Sequence, residues 1–164
     1  MTADSLEDRI LRLEDERNIV RTLYGYAAGL DYGPQEAFVD NFTEDGVWMR
    51  VPGRRKGTRS FIGRHGFSEM YRDHTHAPEY FHKHLVLNPR VDVDGDTAIA
   101  VSNLVFVCDH PDGPYIRAFS RCTDRLVRSE DGRWRIAERQ AELESWADRD
   151  FPPGPWQTLP DVVR

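Results

Sequence analysis

Three side chains in this sequence have the chemistry to move a proton. Tyr26 and Asp31 sit at the tail of the segment LYGYAAGLD, residues 23 to 31, and a strand-like stretch much further along opens with His84. An imidazole changes charge near neutral pH, a carboxylate can orient it, and a phenol can donate a hydrogen bond to a developing oxyanion. Tyr26 precedes Asp31 by about one and a half helical turns, so both can reach one cavity. An Asp31 at a helix C-terminus feels the negative end of the macrodipole, and burial penalises its charged form; both effects are expected to raise its pKa. His84 is then the base or acid, with Asp31 as its orienter. The alternative is that Asp31 caps a turn and His84 is a satisfied core residue.

These residues need elements to bring them together. Leu6, Ile10, Leu13, Val20, Leu23, Tyr24, Ala27 and Leu30 recur at three- and four-residue steps, which predicts a long amphipathic helix with this stripe inward. Ser5 with Asp8 forms a weak capping box, and Tyr32-Gly33-Pro34 ends the helix. A short second helix is expected over Gln35 to Phe42, then a turn at Thr43-Glu44-Asp45-Gly46 and a strand from Val47 to Val51. Residues 52 to 59 read as a basic loop, and Gly63 to Asp73 as a third helix. Four strands follow, over His84 to Val93, Thr97 to Asp109, Tyr115 to Arg128 and Trp134 to Leu143. Asp94-Gly95-Asp96, His110-Pro111-Asp112-Gly113 and Glu130-Asp131-Gly132 make the hairpin turns between them. Helices first and a strand meander afterwards predict an α+β domain: a cone-shaped, curved antiparallel sheet wrapped around the long helix, with two shorter helices. One domain is expected over residues 1–145, with 146–164 an extended tail rich in Pro and aromatics.

The walls of such a cone would come from Trp48, Phe61, Phe67, Met70, Tyr71, Phe106 and Phe119, with Tyr24 on the helix stripe and Asn103 and Arg139 as polar groups from later strands. That lining suits a small hydrophobic substrate. The last two assignments depend on register, since a slip of one residue reverses the face of a strand.

Composition removes several classes of function. The net charge of −6 argues against nucleic acid, which demands dense Lys and Arg, although Arg54, Arg55, Lys56, Arg59 and Arg64 form one local basic run. No stretch approaches the ~20 apolar residues of a membrane span, and the opening MTADSLEDRI lacks a secretory core, so a cytoplasmic protein is expected. Walker, GxGxxG and GxSxG sequences are absent. His74, His76, His82 and His84 make two H-x-H pairs, yet the first falls in a polar loop and HExxH is absent, so no metal and no cofactor are expected. Cys108 and Cys122 read as reduced thiols.

Three phrases, YAAGLDYGPQEAFVDNFTEDGVW at 26 to 48, HLVLNPRVDVDGDTAIAVSNLVFV at 84 to 107 and DRLVRSEDGRWRIAERQAEL at 124 to 143, resemble the SnoaL-like family of the nuclear transport factor 2-like superfamily. The resemblance covers Leu6 to Leu143. Members include scytalone dehydratase, a bile acid dehydratase, a lindane dehydrochlorinase, polyketide cyclases and small subunits of ring-hydroxylating dioxygenases. It implies a cofactor-independent lyase or isomerase working on a polyketide, terpenoid, steroid or aromatic substrate. A cyclase, or a non-catalytic subunit that only binds, are the alternatives. In the eliminating members a carboxylate at the end of the first helix pairs with a histidine early in a central strand, which matches Asp31 and His84, and Tyr26 matches a phenol placed before the carboxylate. A homodimer or homotrimer is also expected, since this fold commonly leaves one sheet face exposed.

Overall fold

The computed structural model describes residues 5–51, 58–147 and 162–163. The first element is α1, Leu6–Asp31, opened by Ser5, whose side chain accepts from the Asp8 backbone while the Asp8 carboxylate accepts from Ser5. This capping box satisfies amide groups that a helix start otherwise leaves without partners. Of the stripe read from sequence, Leu23, Ala27 and Leu30 are buried and Val20 is half-buried, whereas Leu6, Ile10, Leu13 and Tyr24 are exposed; Ile19 and Tyr26 complete the inward face instead. A helix of 26 residues is about 39 Å long, more than the sheet beneath it covers, so its first turns overhang. What holds that overhanging part is polar. Asp15 accepts two hydrogen bonds of 2.7 Å from Arg128 and one of 3.1 Å from the Trp134 indole.

After α1 the chain forms α2, Gln35–Val39, and then β1, Phe42–Val51. The turn expected at Thr43 to Gly46 is instead an irregularity inside β1, where the pairing register shifts between Phe42 and Val47, so α2 is shorter and β1 longer than the sequence suggested. A Cβ on Gly29 would lie 2.8 Å from the Phe38 backbone, so this glycine lets α2 press against the last turn of α1. Next come β2, Arg59–Ile62, which replaces the end of the expected basic loop, and α3, Gly63–Asp73, as predicted. Arg54, Arg55 and Lys56 lie outside the described residues. Arg59 is buried, and Arg64 pairs with Glu36 at 2.8 Å.

The meander is β3, His82–Asp94, β4, Thr97–Cys108, β5, Tyr115–Arg128, and β6, Trp134–Trp146; a short β7, Val162–Val163, pairs with β2. Sheet order is β3-β4-β5-β6-β1-β2-β7. Pairing is antiparallel from β3 through β6, while β6 to β1 and β2 to β7 are parallel, so the curved sheet is mixed. Bulges bend it. One lies between Leu87 and Arg90 of β3, where Asn88 adopts φ 51°, and others lie in β4, β5 and β6. The concave face closes over α1 and α3 through an aromatic cluster in which Tyr26, Phe38 and Phe42 pack edge to face or tilted and Phe67 stacks on Phe42 at 4.0 Å. Most of the expected tail, residues 148–161 and 164, lies outside the described residues. Among the described residues no helix is long and apolar enough to cross a membrane.

Candidate active site

The last residue of α1 and the start of β3 meet inside the cone. Asp31 is 4% exposed, and its Oδ2 accepts the His84 backbone N–H at 2.8 Å while its Oδ1 lies 2.5 Å from His84 Nδ1. A carboxylate only accepts, so Nδ1 carries the hydrogen and Nε2 keeps its lone pair. The same carboxylate thus fixes the strand to the helix, the tautomer and the ring plane. Phe106, directly opposite His84 in the β3–β4 ladder, stacks on the other side of the imidazole at 4.5 Å and 14°.

Asp31 corrects the expected direction of its pKa. Burial pushes the group up, but the nearby His82 ring, the His84 ring and the His84 amide together outweigh it, and the carboxyl is held well below its usual range. His84 moves down as well, because burial disfavours the imidazolium more than Asp31 favours it. The resting pair is therefore a carboxylate and a neutral imidazole.

A cavity of about 110 Å³ opens beside this pair, with Tyr26, Arg50, His74, His84 and Ser120 as polar groups and Leu30, Trp48, Phe61, Met70 and Phe106 among its walls. Tyr26 is buried, which pushes its hydroxyl up to about 12, so it is a donor at any ordinary pH. Arg139 holds the Tyr26 ring from behind, its guanidinium carbon 4.0 Å from the ring centre. Arg139 itself is 1% exposed and locked by two hydrogen bonds to Asp124, at 2.6 and 2.9 Å, across the β5–β6 ladder. It supports Tyr26 and does not line the cavity.

His74, read from sequence only as half of an H-x-H pair in a polar loop, is a second imidazole of this cavity. It follows α3 directly, and its Nδ1 donates to the Thr75 carbonyl at 2.8 Å. Burial drives its pKa well down, so it too is neutral. His82 shares the inward face of β3 with His84, its Nε2 3.2 Å from Asp31 Oδ1. Two-residue parity along a strand was the available signal for His82; for His74 there was none, because its position depends on how α3 leans on the sheet. His76 does not join them: its ring nitrogens lie 2.9 Å from the Leu30 carbonyl and 2.8 Å from that of Tyr71.

Of the remaining expected wall residues, Trp48, Phe61, Met70 and Phe106 line the cavity. Five others do not. Phe67 is fully buried against Phe42, and Tyr71 uses its hydroxyl on the Gly33 carbonyl at 2.7 Å. Tyr24 is on the solvent side of α1, where it lines an outer crevice with Leu85 and Leu87. Asn103 and Phe119 point outward, because strand parity turns Ser102 inward on β4 and Ala118 and Ser120 inward on β5. Leu104, Ser120 and Cys122 are lining residues the sequence reading did not name.

Comparison with known proteins agrees with this architecture. The chain matches solved structures of an NTF2-like protein with a cystatin-like fold from Novosphingobium aromaticivorans (24% identity, 90% of this chain and 95% of that one, TM-score 0.76) and of a variant of Rv3472, a Mycobacterium tuberculosis protein of unknown function (25%, 89% and 80%, 0.74). It is also similar in fold to ActVI-ORFA from Streptomyces coelicolor (20%, 78% and 96%, 0.65). No curated protein matches. The SnoaL-like domain profile matches residues 11–140, which spans α1 through β6 and includes Tyr26, Asp31 and His84, and on that ground the chain belongs to the SnoaL-like family.

Proposed function

We propose that this protein is a cofactor-independent lyase or isomerase that moves a proton on a small hydrophobic molecule. The observation that carries the reading is His84: a neutral imidazole at the wall of a mostly apolar cavity, its Nδ1–H spent on Asp31 and its Nε2 left as a base. For a substrate bearing a carbonyl, Nε2 takes the proton from the adjacent carbon, and the electron pair of that C–H bond moves onto the carbonyl oxygen. Tyr26 donates to that oxygen, while Asp31 stabilises the imidazolium now at His84. If a hydroxyl sits on the next carbon, the electrons return, the C–O bond breaks, and His84 gives its proton to the departing oxygen. Water leaves and the imidazole is neutral again. Return of the proton to a different carbon gives isomerisation by the same groups. His74, with its Nδ1–H on Thr75, accepts a hydrogen bond at Nε2 and orients the leaving hydroxyl.

The cavity volume narrows the substrate. Pockets for drug-sized ligands run to roughly 300–1,000 Å³. The smaller hollow here suits a molecule of about one ring, such as a simple cyclic ketide, monoterpenoid or aromatic precursor, over a steroid. The likeness to ActVI-ORFA supports the fold this reading needs.

The test does not require the natural substrate. A panel of small cyclic β-hydroxy ketones is incubated with the protein in D₂O, and deuterium at the α-carbon and loss of water are followed by NMR. Incorporation by the wild type that drops about 10²- to 10⁴-fold in His84→Ala supports the reading. Equal rates in the two proteins, or ligand-dependent thermal stabilisation with no exchange across the panel, would overturn it; the second result favours a module that only binds.

A further inference from the structure

The imidazoles beside the cavity are arranged in a way that proton transfer alone does not use. One nitrogen from each of His74, His82 and His84 lies within 4.8 Å of one nitrogen from each of the others. In all three rings Nδ1 is turned to an oxygen of the protein: Thr75 O at 2.8 Å from His74, Thr75 Oγ1 at 3.5 Å from His82, and Asp31 Oδ1 at 2.5 Å from His84. Nε2 is left over in His74 and His84, while His82 Nε2 faces Asp31 Oδ1. His82 is the telling one, because its side chain is 0% exposed and its Nε2 faces only Asp31 Oδ1, at 3.2 Å and without a well-formed hydrogen bond. Buried polar atoms without partners are rare in folded proteins and call for an explanation.

Against the sequence-based expectation of no metal, we propose that His74, His82 and His84 form a binding site for a divalent transition metal ion of the zinc class. Imidazole donors favour Zn²⁺ and its neighbours over Mg²⁺ or Ca²⁺, which take oxygen ligands. Histidines that bind metal commonly give their other N–H to a carboxylate or a backbone carbonyl, and here Asp31 and Thr75 already hold two rings that way. Tetrahedral coordination with Zn–N bonds of about 2.0–2.1 Å draws the nitrogens closer than 4.8 Å, which small ring rotations supply. Three protein ligands leave a fourth position, and two of the three, His74 and His84, line the cavity. His76 takes no part, since both of its nitrogens are near carbonyls. Binding is independent of the proposed reaction. One consequence does rest on that reaction: a metal on His84 Nε2 occupies the base, so the loaded protein is inhibited.

The untagged full-length chain, stripped with EDTA, is titrated with Zn²⁺ in competition with a chromophoric chelator, and bound metal is counted by elemental analysis after dialysis. One zinc per chain is expected, with His74→Ala and His82→Ala each weakening affinity at least tenfold and His65→Ala and His110→Ala leaving it unchanged. Absence of saturable binding, or unchanged affinity in His74→Ala, overturns the proposal; His74 half-faces the cavity, so this variant remains decisive if His82→Ala does not fold. The two readings separate in the exchange assay. Deuterium exchange in EDTA together with no zinc binding sinks the metal site alone, whereas zinc binding with no exchange under any condition sinks the reaction alone.

Discussion

Asp124 and Asp31 are both buried, at 0% and 4% exposure, and each faces a nitrogen base. Asp124 meets Arg139 through two parallel hydrogen bonds of 2.6 and 2.9 Å, and Arg139 rests on the Tyr26 ring. A guanidinium does not give up its proton in proteins, and the neighbouring Asp124, with further help at short range, raises this one despite its burial. With a partner that keeps its charge, that pair can only hold shape. Asp31 meets imidazoles instead, sharing Oδ1 between His84 and His82, and its partner His84 is neutral because it is buried. The same carboxylate chemistry thus yields a brace where the partner is permanently charged and, where the partner can change charge, the pair that the proposed reaction uses.

The sharpest way to break this comparison is to exchange the consequences of losing each carboxylate. Asp31→Asn keeps the size of the group and an acceptor for the His84 amide but no longer stabilises an imidazolium. Exchange activity is expected to fall by about 10²–10⁴, with the melting temperature lowered as well because the ionised Asp31 holds both the His84 amide and its ring. In the wild type, activity should rise with pH along a limb lying below the usual histidine value, since burial lowers His84. Stability follows the same sign. His74 and His84 have folded pKa values below their unfolded ones, so they contribute stability fully above about pH 6.5, and it is lost as pH falls toward the folded values. A melting temperature that does not decline between about pH 7 and 5 would contradict that.

For the brace the expectation is reversed. Arg139→Met strands the Asp124 carboxylate in the core and should cost about 3–5 kcal/mol of stability, read by urea unfolding, because an unpartnered buried charge is far worse than an intact pair. The double variant Asp124→Leu/Arg139→Met should recover most of that loss. If the double variant is as unstable as the single one, the pair does more than satisfy itself, and Arg139 belongs with the chemistry.

The same contrast explains what could be read from the sequence. Asp31, His84 and Tyr26 were legible because a helix end and a strand start are marked by local signals: the capping box at Ser5, the Tyr32-Gly33-Pro34 stop, and the hairpin turns that set the meander. α3 was legible for the same reason. Arg139 was named, but its partner Asp124 was not, since cross-strand neighbours follow from register and the bulges in β5 and β6 shift it. Asn103 and Phe119 were misplaced by parity, the error that register uncertainty produces on a strand. His74 escaped because its role follows from the packing of α3 and the residues after it, which no periodicity encodes. The outward Leu6, Ile10 and Leu13 show the converse: an apolar stripe states which face seeks burial, not how far the sheet extends beneath it.

Tyr26 carries Arg139 of the brace on its ring and shares a cavity with His84, the imidazole that Asp31 orients. Tyr26→Phe removes the donor hydroxyl and leaves the ring under Arg139. A roughly tenfold to hundredfold loss of exchange, with stability within about 1 kcal/mol of the wild type, is expected if the hydroxyl serves an oxyanion. A stability loss with no change in rate would assign Tyr26 to the brace.

The smallest effects test the inward and outward assignment itself. Asn103 lies on the outer face of β4 and Phe119 on the outer face of β5, so Asn103→Ala and Phe119→Ser should leave exchange unaltered and change unfolding free energy by no more than about 0.5 kcal/mol. Phe119 also bears on assembly. It sits beside Val105 in the β4–β5 ladder, and Val105 pairs in turn with the exposed Leu85 of β3, which makes a row of apolar side chains on the convex face. If Phe119→Ser lowers the melting temperature in a manner that depends on protein concentration, that row is covered by a second copy in solution; a drop independent of concentration would mean that the residue packs within the monomer, contrary to its exposure.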